Sequence, residues 1–236
     1  MIFQESFAQF IKDNGLLPEE VFAKVRLVPL EGFRPFEREN DTLIYLYEDL
    51  WWSHADMIRK RLLAHFGQFR SIFARNCRVE KLSTPVASEF FDLYHTYGRA
   101  QSKYRYGLFL GDELVAAASF SFGRPMPRED AVVQSYEWIR YASLPDARIV
   151  GGMGKLLKAF IDDVHPEEVM SYADLEWSSG SVYRTLGFTP AGDRPPVSFA
   201  IDPLTFRRIR TKRESLASCT NPICNLGSRK YLKRIV

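Results

Sequence analysis

Six apolar side chains, Met153, Leu156, Leu157, Phe160, Ile161 and Val164, recur at the three-and-four spacing that lines one side of a helix. They follow "ARIVGGMG" (147–154), where three glycines crowd the exit of a strand-like stretch, and precede a second apolar run, "EVMSYADL" (168–175). Strand, glycine turn, amphipathic helix and strand make a crossover unit, which joins parallel neighbours in a sheet. Upstream the pattern differs. "YRYGLFL" and "ELVAAASFSFG" flank Gly111-Asp112, a tight two-residue turn, and "VVQSYEWIRYA" (132–142) reads as a long strand. A sheet that changes from hairpin pairing to crossover pairing has a splay point, and ligands lodge in such crevices. The expectation is an α/β (α+β) domain with its site near residues 138–183.

The rest of the chain fills in around this centre. "IFARNCRVEKL" (72–82) reads as a strand. In the helix that follows, Thr84 caps, Pro85 occupies the first turn, and Val86, Phe90, Phe91 and Tyr94 form a buried stripe. A short helix is expected around Ser179–Leu186, and "VSFAID" as the last strand of the domain. Residues 1–70 read as an extension of helices and one strand. Pro18 opens a helix in "LPEEVFAKV", "TLIYLYEDL" (42–50) alternates as a strand does, and "SHADMIRKRLLAHFG" (53–67) forms a helix that ends at Gly67. The expected segments are 1–70, 71–206 and 207–236.

Composition narrows the classes. No apolar run approaches the ~20 residues of a membrane helix. Lys12 and Asp13 interrupt the apolar start, so no signal peptide is expected, and Cys77, Cys219 and Cys224 are too few for a disulfide framework. A cytoplasmic protein without membrane contact is the expectation. Cys219 and Cys224 resemble half of a zinc site with no second half, so no metal is predicted. The whole chain carries +3, yet residues 207–236 hold nine Lys and Arg against one acid, Glu214. Such a basic tail suits either a polyanion such as DNA or plain solvation.

Chemistry gathers at the glycine turn. Glycines let a backbone approach a ligand closely, and a helix's first turn offers unpaired N–H groups with partial positive charge, a setting for phosphate. Asp174 ends a strand, either poised over a ligand or capping the next turn. Tyr183 is either an acid or a core residue with a satisfied hydroxyl. Glu137 and Arg140 have opposite parity on their strand, so a bulge is required before both can face one cleft. His95, at a helix end in "YHTYG", is either structural or an acceptor-side base.

This element order, the 147–157 turn and "SSGSVYRTLGF" together resemble the GNAT superfamily of N-acetyltransferases. The resemblance implies a mixed, splayed central sheet flanked by helices, with acetyl-CoA or a related acyl-CoA as donor. Arg148, Val150, Gly151, Gly152, Met153, Gly154 and Lys155 would hold its pyrophosphate, and Tyr183, four residues before Gly187-Phe188, would protonate the departing thiolate. The turn departs from the superfamily's Gln/Arg-x-x-Gly-x-Gly/Ala. Counting from Arg148 reaches Gly151 and then Met153, whereas counting from Ile149 reaches Gly152 and Gly154 without the basic residue. Residues 72–200 resemble a GNAT-type domain of phage proteins, some of which carry a nuclease domain beside it. "SYAD", with the following Gly and Tyr, and the upstream "YEWIRY" are similar to the phage Mom family of DNA-modification proteins, which places Arg140, Asp174 and Tyr183 at functional positions. "LIYLYEDLWWSHADMIRKRLLAHFG" resembles the last strand and helix of the phage nucleases. No metal-holding set of acids precedes it, so nuclease activity is not predicted. The sequence thus points to an N-acyltransferase acting on an amine or a DNA base. A non-catalytic DNA-binding or phage accessory protein that keeps the fold is the alternative.

Overall fold

The computed structural model describes residues 2–129, 131–210 and 222–235. In chain order the elements are helices α1 (Phe3–Asp13) and α2 (Pro18–Phe22), strands β1 (Val25–Val28) and β2 (Ile44–Tyr47), then helices α3 (Glu48–Ser53) and α4 (Ala55–His65). Strand β3 (Arg70–Phe73) leads through a 3-10 turn, Ala74–Asn76, to β4 (Arg78–Lys81), helix α5 (Thr84–Tyr94) and strands β5 (Tyr104–Leu110), β6 (Glu113–Phe120), β7 (Arg124–Pro127), β8 (Val132–Ser143) and β9 (Ala147–Val150). Helix α6 (Gly152–Val164), strand β10 (Glu168–Asp174) and helix α7 (Ser181–Thr185) follow. Strands β11 (Thr189–Arg194), β12 (Ser198–Ile201), β13 (Arg208–Arg210), β14 (Ile223–Cys224) and β15 (Ser228–Arg234) complete the order. No helix among the described residues is long and apolar enough to cross a membrane.

These elements gather into two compact units that interleave along the chain. One holds the residues through Arg59 with Ala173–Ser181 and Gly192–Arg229. The other holds Lys60–Tyr172, Val182–Ala191 and the residues from Lys230 on.

The second unit carries the main sheet, ordered β11-β15-β10-β8-β6-β5-β4, with β7 also paired to β8. Pairing is antiparallel from β4 through β8, and β8 and β10 run parallel across the α6 crossover. This is the mixed α/β sheet the patterning predicts, with Gly111 at φ +59 in the expected hairpin turn. Leu156, Leu157 and Phe160 of the α6 stripe are buried, and Phe160 lies flat on Phe120 with ring centroids 3.9 Å apart. The α5 stripe is narrower than expected: Phe90 and Phe91 are buried, whereas Val86 is 44% exposed. The stretch 72–82 breaks at the 3-10 turn, so β3 leaves the main sheet and pairs with β9 instead.

Two expectations about the C-terminal part are corrected. "VSFAID" forms β12, but β12 joins β13 and β14 in a separate three-stranded sheet of the first unit. The described residues of 207–236 do not form a free basic tail. Within them β15 lies inside the main sheet between β11 and β10, and Arg229 pairs with Asp193 at 2.9 Å. Lys212, Arg213, Glu214 and Cys219 lie outside the described residues.

In the first unit, β1 and β2 pair in parallel, and all four β2 residues are buried, so "TLIYLYEDL" does not alternate. Its second half turns into α3, which brings Trp51 into a cluster with Phe3, Phe7 and Phe10 of α1. Trp51 Nε1 donates to Ser6 Oγ at 3.0 Å there, satisfying both polar groups in the dry interior. Deeper still, Arg208 donates from Nε to Asp49 at 2.6 Å and from a terminal nitrogen to Glu176 at 2.8 Å. Both carboxylates have no exposed surface. The guanidinium also faces the rings of Tyr47 and Phe199. Two buried acids on one base leave an excess negative charge, which a low-dielectric interior disfavours. Glu176 relieves it: burial first, then Asp174 and Asp49 against the pull of Arg208, pushes its carboxyl up to about 8 from 4.5. Its Oε2 has no partner among the described residues, the position a carboxylic proton would take.

Two outcomes follow from this cluster. Arg208→Leu strands two buried acids and is expected to cost about 3–5 kcal/mol in urea unfolding. Glu176→Gln acts through pH. Between pH 4.5 and about 8 the folded chain keeps a proton at Glu176 that the unfolded chain has lost, so this group's contribution weakens steadily as pH rises through that window. Unfolding curves at about pH 5 and about pH 8 should show the variant gaining on the parent at the higher value. An unchanged difference would mean that Glu176 is ionised at both.

Candidate functional site

The second unit's strand β8 contains one extra residue. Phe120 pairs with Trp138 and Ser119 with Arg140, so Ile139 has no partner on β6. Such a bulge bends its strand and resets the alternation of faces. Arg140 therefore shares a face with Glu137, resolving the parity conflict between them. Ser119 and Ser121 complete this polar face: Glu137 N donates to Ser121 Oγ at 2.8 Å, and Ser119 Oγ is buried without a partner among the described residues. The opposite face is aromatic, with Trp138 stacked on Phe120 at 5.4 Å.

On the polar face, Arg140 Nε donates to Gly98 O at 3.0 Å, and another guanidinium nitrogen donates to Ile139 O. Burial lowers its pKa, against the attraction of Glu137. The loop that supplies Gly98 also carries His95. Burial, with the positive charges of Arg140 and Arg61, pushes His95 down to about 3. The Tyr97 N–H donates to His95 Nδ1 at 3.1 Å, so the neutral ring carries its proton on Nε2. Arg140 and His95 are thus brought together, but in an arrangement that makes His95 a weak acceptor.

The bulge sits just past the place where β8 and β10 stop pairing. Their register runs from Ser135–Glu168 to Glu137–Met170. At the next position a side chain spans the gap, as Ser171 Oγ donates to Trp138 O at 3.0 Å. The same oxygen lies 2.8 Å from the Tyr183 hydroxyl. Since the Ser171 proton goes to the Trp138 carbonyl, the Tyr183 O–H donates to Ser171. The Tyr183 ring is stacked on Tyr231 at 5.1 Å and meets Trp138 edge-on, and burial raises its pKa.

The brevity of α7 has a local cause. Gly187, at φ +79, donates to Arg184 O, Phe188 N donates to Tyr183 O, and the Phe188 and Tyr183 rings meet at 5.5 Å. These are the two backbone bonds and the apolar contact of a Schellman stop. The Tyr-x-x-x-Gly-Phe spacing therefore closes a helix, whatever else Tyr183 does.

The glycine turn opens α6 as expected. Gly151 takes the left-handed N-cap position at φ +77, and the first backbone bond back to it comes from Lys155 N. The N–H groups of Gly152, Met153 and Gly154 consequently have no backbone partner among the described residues. Its glycines serve different ends. Gly151 is exposed, whereas a Cβ on Gly152 would lie 2.7 Å from Ile149 Cγ2, so Gly152 permits helix and strand to pack. A Cβ on Gly154 would come within 3.3 Å of Leu186, which sets α7 beside the first turn of α6. Lys155 does not point outward: its Nζ donates to Ala74 O at 2.9 Å and Cys77 O at 2.5 Å. Arg148 lies over the Phe69 ring, Val150 is 45% exposed, and Met153 is half-buried.

The candidate residues thus divide. Tyr183 and the glycine turn lie on the α6 face of the sheet, linked through Trp138 and Tyr141, whose rings meet edge-on. His95 and Arg140 lie on the other face. Asp174 belongs to the first unit, where its Oδ1 accepts from Glu176 N at 3.0 Å and its carbonyl accepts from Trp177 and Ser178, the pattern of a capped turn. Sequence reasoning missed Ser171 altogether. A serine within an apolar strand carries no signal, because its two partners are set by where the sheet parts.

No family model matches the chain, and no curated protein matches it. Solved structures do. An acetyltransferase from Bacillus subtilis in complex with CoA is 14% identical, covers 68% of this chain and 99% of its own, and superposes with a TM-score of 0.43. The ribosomal-protein-S18-alanine N-acetyltransferase of Escherichia coli is 15% identical over 67% of this chain and 94% of its own, with a TM-score of 0.42. An acetyltransferase from Corynebacterium glutamicum, described as histone acetyltransferase HPA2 and related, is 12% identical over 68% and 97%, with a TM-score of 0.45.

Proposed function

We propose that this chain is a GNAT-type N-acyltransferase that uses acetyl-CoA or a related acyl-CoA as donor. The observation that carries the reading is the parting of β8 from β10 at a bulge, linked through Trp138 and Tyr141 to a helix mouth whose first N–H groups have no backbone partner among the described residues. Those groups fit a diphosphate: the N–H groups of Gly152, Met153 and Gly154 supply donors, Gly151 and Val150 leave the mouth open, and Arg148 adds positive charge. Lys155 contributes its backbone and the rigidity of the adjacent turn, since its ammonium is held by carbonyls. The donor supplies an activated acyl carbonyl and a thiolate leaving group.

The chain's own groups then have separable tasks. Backbone N–H groups of β8 past the bulge, released from pairing with β10, orient toward the acyl oxygen where charge develops. Tyr183 holds a proton for the leaving sulfur. Burial keeps it protonated well above neutrality, and turning its O–H from Ser171 toward the gap directs that proton outward. On the acceptor side the candidate base is Glu137, brought to the Arg140 face by the bulge. Arg140 anchors the loop that carries His95, and His95 serves that anchoring better than proton transfer. The acceptor is an amine. A DNA base as acceptor rests on the phage resemblance, because Arg208 and Arg229 of the basic stretch are paired with carboxylates.

Calorimetric titration with acetyl-CoA tests the reading: binding is expected, whereas silence together with salt-sensitive DNA binding would favour the non-catalytic module. Tyr183→Phe should bind acetyl-CoA within about twofold of the parent. Its thiol release with a panel of primary amines and DNA should fall about 100-fold or more. Equal turnover would remove Tyr183 as the acid.

A further inference from the structure

In the first unit, strand β1 has one satisfied edge and one open edge. Ile44 N donates to Lys24 O at 2.8 Å, and β1 and β2 pair in parallel from Val25–Ile44 to Val28–Tyr47. Alternate residues bond across such a ladder, so Arg26 spends its N–H and C=O on β2 while Leu27 turns its own to the other side. No other described segment bonds to those two groups of Leu27.

A cavity of about 270 Å³ lies along this edge. Leu27 and Val28 both line it, although consecutive strand residues point to opposite faces, so the cavity runs beside the backbone. Its other wall comes from the 29–43 connection, which joins two parallel strands without the helix such a crossover usually carries. Phe36 packs on Tyr45 at 5.5 Å and Phe33 on Tyr47 at 6.3 Å, holding the connection over one face of the strand pair. Near its ends, Leu30 N donates to Glu48 at 2.9 Å and Glu39 N to the Tyr45 hydroxyl at 2.6 Å. These attachments fix the loop without using Leu27, and the space beside the strand stays open. At the rim Arg26 and Glu39 pair at 2.8 Å and neutralise one another. Glu31, Glu37 and Arg34 also line the cavity, are exposed, and carry no ion pair among the described residues. Two uncommitted carboxylates against one guanidinium leave the rim negative.

We propose that the open edge of β1 docks an extended peptide segment of a partner protein, one that carries an apolar and a basic side chain on the same face. Leu27 exchanges N–H and C=O bonds with the peptide main chain. The apolar side chain lies against Phe33 and Phe36, and the basic one meets Glu31 or Glu37. Strand addition suits this place because main-chain bonds supply affinity while the pocket selects the side chain. The assignment is independent of the acyl-CoA reading and gives the N-terminal elements a recognition task.

The test titrates the acetylated and amidated peptide TFTKT into the full chain by calorimetry, with hydrogen exchange to locate it. Saturable binding below about 1 mM is expected, with slowed exchange at residues 25–29. The peptide TATKT should bind about tenfold more weakly or worse, having lost its apolar anchor. N-methylating the threonines that flank phenylalanine should cost about tenfold as well, because a methylated amide cannot donate to Leu27. TFTET should bind about fivefold more weakly than TFTKT, and the order should reverse in Glu31→Lys/Glu37→Lys. Thermal unfolding confirms that these exposed changes leave the fold intact. Equal binding of the N-methylated peptide would mean that the cavity takes a side chain without adding a strand, which overturns the proposal. A dimer seen by sedimentation that protects residues 25–29 without peptide overturns it too, since a second copy then occupies the edge. So does the absence of saturable binding by every peptide.

Discussion

Ile139 is one residue too many for the ladder between β6 and β8, and the geometry of the main sheet turns on it. The surplus residue lets Glu137 and Arg140 share a face, and the bend it imposes falls where β10 ceases to follow β8. A sheet that parts in this way leaves backbone groups without ladder partners, a cost the fold tolerates only when something else meets them. Ser171 meets one, reaching across to the Trp138 carbonyl, and Tyr183 in turn donates to Ser171. The hydroxyl pair and the bulge are two halves of one arrangement, in which an opening is created and its depth limited.

The same economy marks the glycine turn. Three glycines in four residues suggest a single purpose, yet Gly151 serves conformation, Gly152 permits packing against Ile149 and Gly154 leaves room for Leu186. Only the N–H groups of the first turn remain uncommitted, and they lie next to the exposed edge of β9. Structural demands and binding capacity therefore coincide on the same short segment, and composition alone could not separate them.

What the sequence made legible was local. The α6 stripe, the Gly111-Asp112 hairpin and the short α7 follow from spacings of a few residues, where periodicity and turn chemistry act directly. Parity along β8 shows that Glu137 and Arg140 share a face only if a bulge intervenes, but an inserted residue leaves no mark in composition, so the bulge itself was not legible. "VSFAID" was recognisable as a strand, but its sheet was not, since strand propensity says nothing about partners. β15 was hidden by its charge: pairs of Lys and Arg flank Tyr231, which is fully buried, and a basic stretch near two cysteines reads as solvent-exposed. Tyr183 and Gly187-Phe188 were found by their spacing, yet that spacing is fully used by a helix stop. Arg208 escaped notice because its acids, Asp49 and Glu176, come from distant parts of the chain.

The position of β15 has a consequence for the order in which the molecule can assemble. Its neighbours β10 and β11 are synthesised long before it, and everything from β12 to β14 emerges in between. Until residues 228–234 leave the ribosome, β10 and β11 have no strand to bridge them, and Tyr183 lacks the ring it stacks upon. A sheet formed before β15 is in place would have a missing slat and expose two edges that invite mispairing. Insertion of β15 completes the sheet and the aromatic stack together, so the region around the gap lacks its full shape until that strand is in place.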